Sequence, residues 1–280
     1  MSALRCTGAL LAAAVSGAPA LAAGEVTLPP IVAANIEWAL SHGLAHYVQE
    51  AFGLEPSDGD REATADDHAS VTIVSRYPGE AGATALASVA EAWFLNDTLN
   101  DTSENATGGE AQWFSRHDLN PSRAFRVLCI ADHAHGPTAR EAALFAEVPE
   151  GGFESCAADR DIATEAWDVL TANALLFDDE PRAEVAIHID PEGFEEQAEA
   201  LRRSGILERT REAAEIYAFS GPLTIKVRSC GEAALPRDVE AGTLTLCHEL
   251  MSVFMEFSAG AEAGGDAGRN ADRQPGTAAQ

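Results

Sequence analysis

Two histidines, His42 and His46, lie four residues apart in the apolar stretch EWALSHGLAHYVQEAF. On an α-helix this spacing places both imidazole rings on one face, where they can bind a single metal ion. In a His-Glu-x-x-His helix the two histidines bind Zn²⁺, and the intervening glutamate is the general base for the zinc-bound water. Gly43 occupies the position of that glutamate and has no side chain to accept a proton. Alone, the histidine pair is a weak signal.

A pair of acidic residues follows, with Glu62 and Asp66 four residues apart in DREATADD. This spacing resembles the Glu-x-x-x-Asp arrangement of thermolysin-like zinc enzymes. There the glutamate is the third metal ligand and the aspartate hydrogen-bonds to a ligand histidine. The resemblance predicts that His42, His46 and Glu62 bind zinc and that Asp66 hydrogen-bonds to one of the ligand histidines. The alternative is an acidic helix start, in which both carboxylates only complement the helix dipole.

Four other side chains are weaker candidates. Glu50, two turns after His42, is either a solvated charge at a helix end or a substitute base. Arg123 could bind a substrate carboxylate or a developing oxyanion, or form a surface ion pair. His117 could line the same cleft or cap a helix. His68 is either an additional metal ligand or an ordinary surface or core histidine.

Two more sequence segments contain histidines that we do not predict to bind metal. His133 and His135 lie two residues apart in ADHAHG, which we predict to be a surface pair in a loop. His248 and Glu249 begin like a zinc motif, but the residue four after His248 is Ser252, which excludes this motif.

Residues 1–22 have the arginine, the apolar run and the Ala-Leu-Ala site of a secretory signal peptide. A retained membrane anchor is the alternative, but the apolar run is short for a bilayer. We therefore expect a secreted or periplasmic protein. Removal of the signal peptide would take Cys6 with it and leave four cysteines.

An even cysteine count in an exported chain predicts two disulfides. Pairing by sequence neighbourhood joins Cys129 to Cys156 and Cys230 to Cys247, which is one of three connectivities. The formal charge of -27 argues against nucleic acid or anionic membranes as partners, because phosphate binding requires clustered cations. A peptide or protein ligand is compatible with this charge.

The elements that must position these residues are mostly helices. Apolar periodicity predicts one helix from Ile31 to about Phe52, a second from near Glu62 to Pro78, and a third directly after it. A polar stretch at 95–109, with Asn-x-Thr triplets at Asn96, Asn100 and Asn105, favours a loop over glycan acceptors.

The second half of the chain predicts two more helices, from PSRAFRVLCIADH and CAADRDIATEAWDVLTANALL, followed by a change in composition. RAEVAIHID is typical of a strand, and residues 193–219 predict one long amphipathic helix. Two alternating strands then predict a β-hairpin that Cys230 and Cys247 would staple. We expect a mainly helical α+β domain at 23–257 and a disordered acidic tail at 258–280.

Several of these segments also resemble one known family. ANIEWALSHGLAHYVQEAFGLEPSDGDREATADDHASVTIV is similar to the motif ANIxxxLxHELGHALI followed by PVxGxEEDAADxxAxxLL, found in uncharacterised bacterial proteins that are identified as metallopeptidases. WFSRHDLNPSRAFRVLCIADHAHGP, CAADRDIATEAWDVL and the CGE segment from Cys230 to Glu232 match further motifs of that family in a fixed order. The likeness covers nearly all of residues 31–257.

The resemblance implies a zinc-peptidase-like helical domain with His42, His46 and Glu62 as ligands. It also implies that polar positions have changed: Ala234 and Arg237 replace an Asn and a Tyr, Ser122 replaces a Gln, and Arg126 replaces an Asn. The cysteines, Trp113 and His117 are retained. This combination is typical of a relative that binds zinc but is catalytically silent. The alternatives are an active peptidase with a different base, or an envelope protein that binds a peptide or partner without metal.

Overall fold

The computed structural model describes residues 27–57, 59–102, 121–143, 152–177 and 182–271. The signal peptide predicted at residues 1–22, as well as Trp113 and His117, lie outside these ranges. Eight α-helices and a four-stranded mixed sheet form within the described residues. The mainly helical α+β class is therefore confirmed. None of the helices in these ranges combines the length and apolar content required to cross a bilayer.

Helix α1, Pro30–Ala51, is the centre of the fold. Proline at the first helical position suits the start of a helix, because its missing N–H would have no partner there. Nearly every side chain from Val32 to Gln49 is buried, which is typical of a helix enclosed on all sides. Both histidines of the predicted metal site therefore lie in the protein core.

Helices α2 and α3 pack against α1. Helix α2, Arg61–Arg76, begins after Asp60, whose carboxylate accepts a hydrogen bond from the Ala63 N–H at 2.9 Å. It ends before Pro78, and helix α3, Glu80–Thr102, follows. The predicted loop at 95–109 is thus wrong in its first half, because α3 continues through Asn96 and Asn100. Asn105 lies outside the described residues.

Helices α4 and α5 flank α2. Helix α4 spans Pro121–Ala143 and is kinked where His135 has non-helical angles, close to Pro137, which removes a helical hydrogen bond. His133 and His135 therefore lie in a kinked helix and not in the predicted loop. A 3₁₀ segment, Gly152–Ala158, leads into helix α5, Asp159–Thr171.

The second half of the chain builds the sheet. Strand β1 is Val185–Ile189, helices α6 and α7 are Glu195–Ser204 and Ile206–Ala214, and strand β2 is Leu223–Arg228. The predicted single amphipathic helix is therefore wrong. It is divided at Gly205, whose left-handed φ of 68° ends α6 and starts α7.

Strand β3, Arg237–Asp238, and strand β4, Thr243–Cys247, complete the sheet in the order β1-β2-β4-β3. Strand β2 pairs with β1 and with β4 in parallel, and β3 pairs with β4 in the antiparallel direction. The predicted hairpin of β2 and β4 is therefore wrong. Alternating apolar residues identify a strand but not its direction, and the connection at 229–242 is a crossover.

The disulfide prediction by sequence neighbourhood is confirmed. The sulfur atoms are 2.09 Å apart in Cys129–Cys156 and 2.03 Å apart in Cys230–Cys247. The first links α4 to the 3₁₀ segment, and the second links the end of β2 to the end of β4.

Helix α8 begins at His248 and runs to Ala271. Residues 258–271 are therefore helical, although the composition predicted a disordered tail. Alanine is frequent in this segment and is the strongest helix former, which favours continuation of the helix. Residues 272–280 lie outside the described residues.

Candidate metal centre

The imidazoles of His42 and His46 are packed side by side inside the protein. Their side chains are 2% and 3% exposed, and their ring centroids are 4.6 Å apart. His42 also stacks on Trp38 with centroids 5.1 Å apart, and the Trp38 Nε1–H donates to the hydroxyl of Ser70 at 3.1 Å. These contacts fix the His42 ring in one orientation.

Glu62 brings a carboxylate to the two rings. Its Oε1 lies 3.0 Å from His46 Nε2, and its Oε2 lies 3.5 Å from His42 Nε2. One nitrogen of each histidine and one oxygen of Glu62 lie within 4.8 Å of one another. Glu62 is placed there by α2, whose first turn is fixed by the Asp60 cap. All three residues that the sequence singled out as ligands therefore meet.

The spacing of these atoms suits a tetrahedral metal ion. Ligand atoms about 2 Å from zinc lie about 3.4 Å from each other in a tetrahedron. The observed 3.0 and 3.5 Å separations agree with that distance. His46 Nε2 is fully buried, and the group that faces it is the Glu62 carboxylate, 3.0 Å away. A metal ion between them would bind both groups, whereas a hydrogen bond between them requires a proton on Nε2.

Asp66 lies behind His42, as the sequence predicted. Its Oδ1 is 3.0 Å from His42 Nδ1. In the neutral ring this contact favours a proton on Nδ1, which leaves the lone pair of Nε2 for a metal ion beside Glu62; such an ion would displace the Nε2 proton that hydrogen-bonds to Glu62 in its absence.

Arg123 binds Asp66 from the other side. Its Nε and Nη2 donate to the two carboxylate oxygens at 2.6 and 2.7 Å, and Nη2 is also 3.3 Å from Glu62 Oε2. With a side chain only 12% exposed, Arg123 forms neither a surface ion pair nor a free substrate clamp. It stabilises the negative charge of Asp66 and holds α4 against α2.

The charges of this cluster shift several pKa values. Burial opposes ionisation of Asp66, but hydrogen bonds from His42 and Arg123 outweigh it and lower the pKa of the carboxyl. Burial also opposes protonation of His42, but hydrogen bonds to Asp66 and Glu62 raise its pKa. For His46 burial dominates, and the pKa of its imidazole is lowered. His46 is therefore neutral near pH 7, which is the form that binds metals.

Gly43 lies on α1 between the histidines, and its absent side chain has a structural reason. A Cβ atom added at Gly43 would lie 2.1 Å from Leu235 Cδ2 and 3.2 Å from Leu244 Cδ1. Both leucines are buried, so Leu235 would have to change its conformation inside a packed core to admit that atom. The position that a catalytic glutamate would occupy is therefore covered by an apolar side chain.

The segment that carries Leu235 is firmly held. Before it, the carboxylate of Glu249 accepts hydrogen bonds from the backbone N–H groups of Cys230 and Gly231, at 3.0 and 2.8 Å, and from the Ser229 hydroxyl. After it, Arg237 Nε lies 3.2 Å from Glu50 Oε2. No sequence signal marks Leu235, which is an ordinary apolar residue far along the chain from Gly43.

The remaining candidates have other partners. Glu50 pairs with Arg237 at the surface, and the His68 ring stacks on Trp167 with centroids 4.0 Å apart. His133 Nε2 lies 2.8 Å from the Cys156 carbonyl oxygen, and His135 bonds to Thr138.

The motif at His248 is also structural. His248 Nε2 lies 2.7 Å from the Asp190 carbonyl oxygen, and Glu249 binds the turn at Cys230. Glu249 also lies near Cys230 and Cys247, but both sulfurs are joined in a disulfide and are not available as ligands.

Comparisons of the chain with protein-family models, with curated proteins and with solved structures give no match. The resemblance to metallopeptidases therefore stays a prediction from sequence motifs.

Proposed function

We propose that this protein binds zinc through His42, His46 and Glu62 and does not hydrolyse peptides. The observation that supports zinc binding is the convergence of two buried imidazoles and one carboxylate at 3.0 to 3.5 Å, with Asp66 fixing the orientation of His42. Two nitrogen ligands and one oxygen ligand suit Zn²⁺ better than Ca²⁺ or Mg²⁺, which prefer oxygen alone.

The lack of hydrolysis follows from Gly43 and Leu235. A bound zinc ion would polarise a carbonyl or acidify a water molecule, but proton transfer from that water requires a base beside it. Position 43 offers no acceptor, and Leu235 packs over it. Glu50, the candidate substitute, is held by Arg237. The protein would therefore keep the zinc ligands of a peptidase site but lack its general base.

The proposal also includes the cellular compartment of the protein and the class of ligand that could reach the metal. The two disulfides favour an oxidising compartment, such as the periplasm or the cell exterior. With three protein ligands, the metal would retain an open position, and the Glu62 side chain is 40% exposed to solvent. A peptide or protein ligand could reach the metal past Glu62.

Metal analysis tests the zinc proposal. Protein purified without added metal should contain about one zinc per chain, and His46→Ala should lose most of it. Asp67→Asn is the matched control, because Asp67 pairs with Arg126 and is not a ligand. Equal zinc in the wild type and His46→Ala would contradict the proposal.

Two substitutions together test the claim that the protein lacks peptidase activity because it has no general base at position 43. Gly43→Glu alone should destabilise the protein, because the new side chain collides with Leu235. Gly43→Glu combined with Leu235→Ala removes the closest colliding atoms and supplies a base, while the Leu244 contact at 3.2 Å remains. We expect chelator-sensitive casein hydrolysis from the double variant and none from the wild type or Leu235→Ala. Circular dichroism verifies that each variant is folded. Hydrolysis by the wild type that a chelator abolishes would contradict the proposal.

A further inference from the structure

A cavity of about 500 Å³ lies between α2 and α5, apart from the metal centre. Glu62 and Asp66 project from one face of α2, whereas the residues of α2 that line this cavity project from another. Leu175 and Tyr217, which are joined by an isolated β-bridge, also line this cavity. Its size is within the range of small-molecule binding sites.

Three polar side chains of α2 face this cavity at helical spacing: His68, Thr72 and Ser75. None of the three makes a hydrogen bond to another residue in the described part of the chain. The two threonines contributed by α5 differ, because Thr164 and Thr171 donate to backbone carbonyl oxygens of their own helix at 2.9 and 2.8 Å. The α2 face therefore presents hydrogen-bonding groups that an occupant of the cavity could satisfy.

The walls around these groups are aromatic and fixed. His68 stacks on Trp167 at a centroid distance of 4.0 Å, and Trp167 Nε1 donates to the Tyr217 hydroxyl at 3.2 Å. Burial lowers the pKa of His68 to about 3. The imidazole is therefore neutral at pH 7 and offers one donor and one acceptor.

The residues at the mouth of the cavity disfavour a negatively charged ligand. Leu175 and Ile216, both partly exposed, form an apolar rim, and the exposed Asp168 adds a carboxylate. The one cation among the lining residues, Arg76, is already paired with Glu37. An anionic ligand would also have to approach a chain with a formal charge of -27.

We propose that this cavity binds a neutral heteroaromatic small molecule whose ring packs against Leu175 and Ile216, next to Trp167, while its polar atoms bond to His68, Thr72 and Ser75. A purine-sized or indole-sized ring matches the combination of an apolar rim with donors and acceptors on one side. This site is distinct from the candidate metal centre, because the two use different residues on different faces of α2.

Adenine is the first probe, with AMP as its anionic counterpart, and binding is measured by ligand-observed NMR and equilibrium dialysis. We expect the wild type to bind adenine with a Kd of about 1 mM, as expected for ten heavy atoms, and AMP at least about tenfold more weakly. Thr72→Val and His68→Ala should each weaken adenine binding about tenfold. His188→Ala, an exposed histidine on β1, should leave it unchanged.

Two outcomes would overturn the proposal. One is the absence of adenine binding by the folded wild type at millimolar concentrations. The other is equal adenine affinity in the wild type, Thr72→Val and His68→Ala, which would place the ligand elsewhere. Thr72→Val keeps the side-chain volume, so it remains informative if His68→Ala does not fold.

Discussion

The Asp66 carboxylate lies between the Arg123 guanidinium and the His42 imidazole, and its contacts hold both groups in place. Arg123 holds Asp66 through two hydrogen bonds, and Asp66 in turn lies 3.0 Å from His42 Nδ1. Groups that orient a metal ligand in this way commonly contribute one to two orders of magnitude to metal affinity. Asp66 should therefore affect zinc binding without contacting the metal.

We predict that Asp66→Asn lowers zinc affinity by about 10-fold to 100-fold, because an amide binds the His42 N–H more weakly than a carboxylate does. Competition with a chromophoric chelator measures the change. Asp67→Asn is the control, since its carboxylate pairs with Arg126 in a similar bidentate contact on the same helix. A similar loss in both variants would mean that Asp66 acts only through the stability of α2.

At the scale of elements, Glu37 links three helices. This buried carboxylate on α1 contacts Arg76 of α2 and Arg209 of α7, and it accepts a hydrogen bond from Tyr77 at 2.8 Å. Burial alone would raise its pKa, but the bonds from Arg209 and Tyr77 outweigh burial and lower the pKa below its usual value of 4.5. Ionised Glu37 therefore stabilises the fold above that pH, and the contribution is lost as the pH falls through the lowered pKa.

Glu37→Gln should reduce the free energy of unfolding by about 3 kcal/mol at pH 7, because it leaves two arginines without their carboxylate. The difference from the wild type should shrink as the pH is lowered below 4.5. Urea denaturation at a series of pH values measures both quantities. A difference that is the same at pH 7 and pH 3 would show that the ion pairs are not its source.

Local patterns predicted many of the elements. Helices α1 and α2 follow from apolar helical periodicity, and strand β1 follows from the strand-like segment RAEVAIHID. His42, His46, Glu62 and Asp66 could be found because they lie on two consecutive helices. The relative direction of β2 and β4 could not be predicted from the sequence, because apolar residues alternate with the same period of two in a hairpin and in a parallel pair. The contact of Leu235 with Gly43 joins distant segments, and no local pattern encodes it.

At the scale of the whole molecule, the candidate metal centre lies where the two halves of the fold meet. Helix α1 packs against the N-terminal helices on one side and against the sheet, α7 and α8 on the other. The hydrophobic core is continuous across both halves of the described chain. Metal bound on α1 and α2 should therefore stabilise the entire protein.

Zinc at about 100 times its Kd should add about 2.7 kcal/mol to the stability of the native state. For a domain of this size, the gain corresponds to a rise in Tm of about 5 to 10 °C. Calorimetry with and without zinc measures the shift, which a chelator should reverse. Magnesium should have little effect, because it prefers oxygen ligands. An equal zinc-induced shift in His46→Ala would place the binding elsewhere.

The contact between Gly43 and Leu235 also constrains how this protein can evolve. A carboxylate at position 43 collides with Leu235 unless position 235 has already become smaller. A smaller residue at 235 leaves a cavity in the core and costs stability before any benefit exists. We therefore expect each single step to lower stability and the paired change to lower it less than Gly43→Glu alone. Natural descendants of this chain should retain glycine at position 43 even where their surfaces diverge.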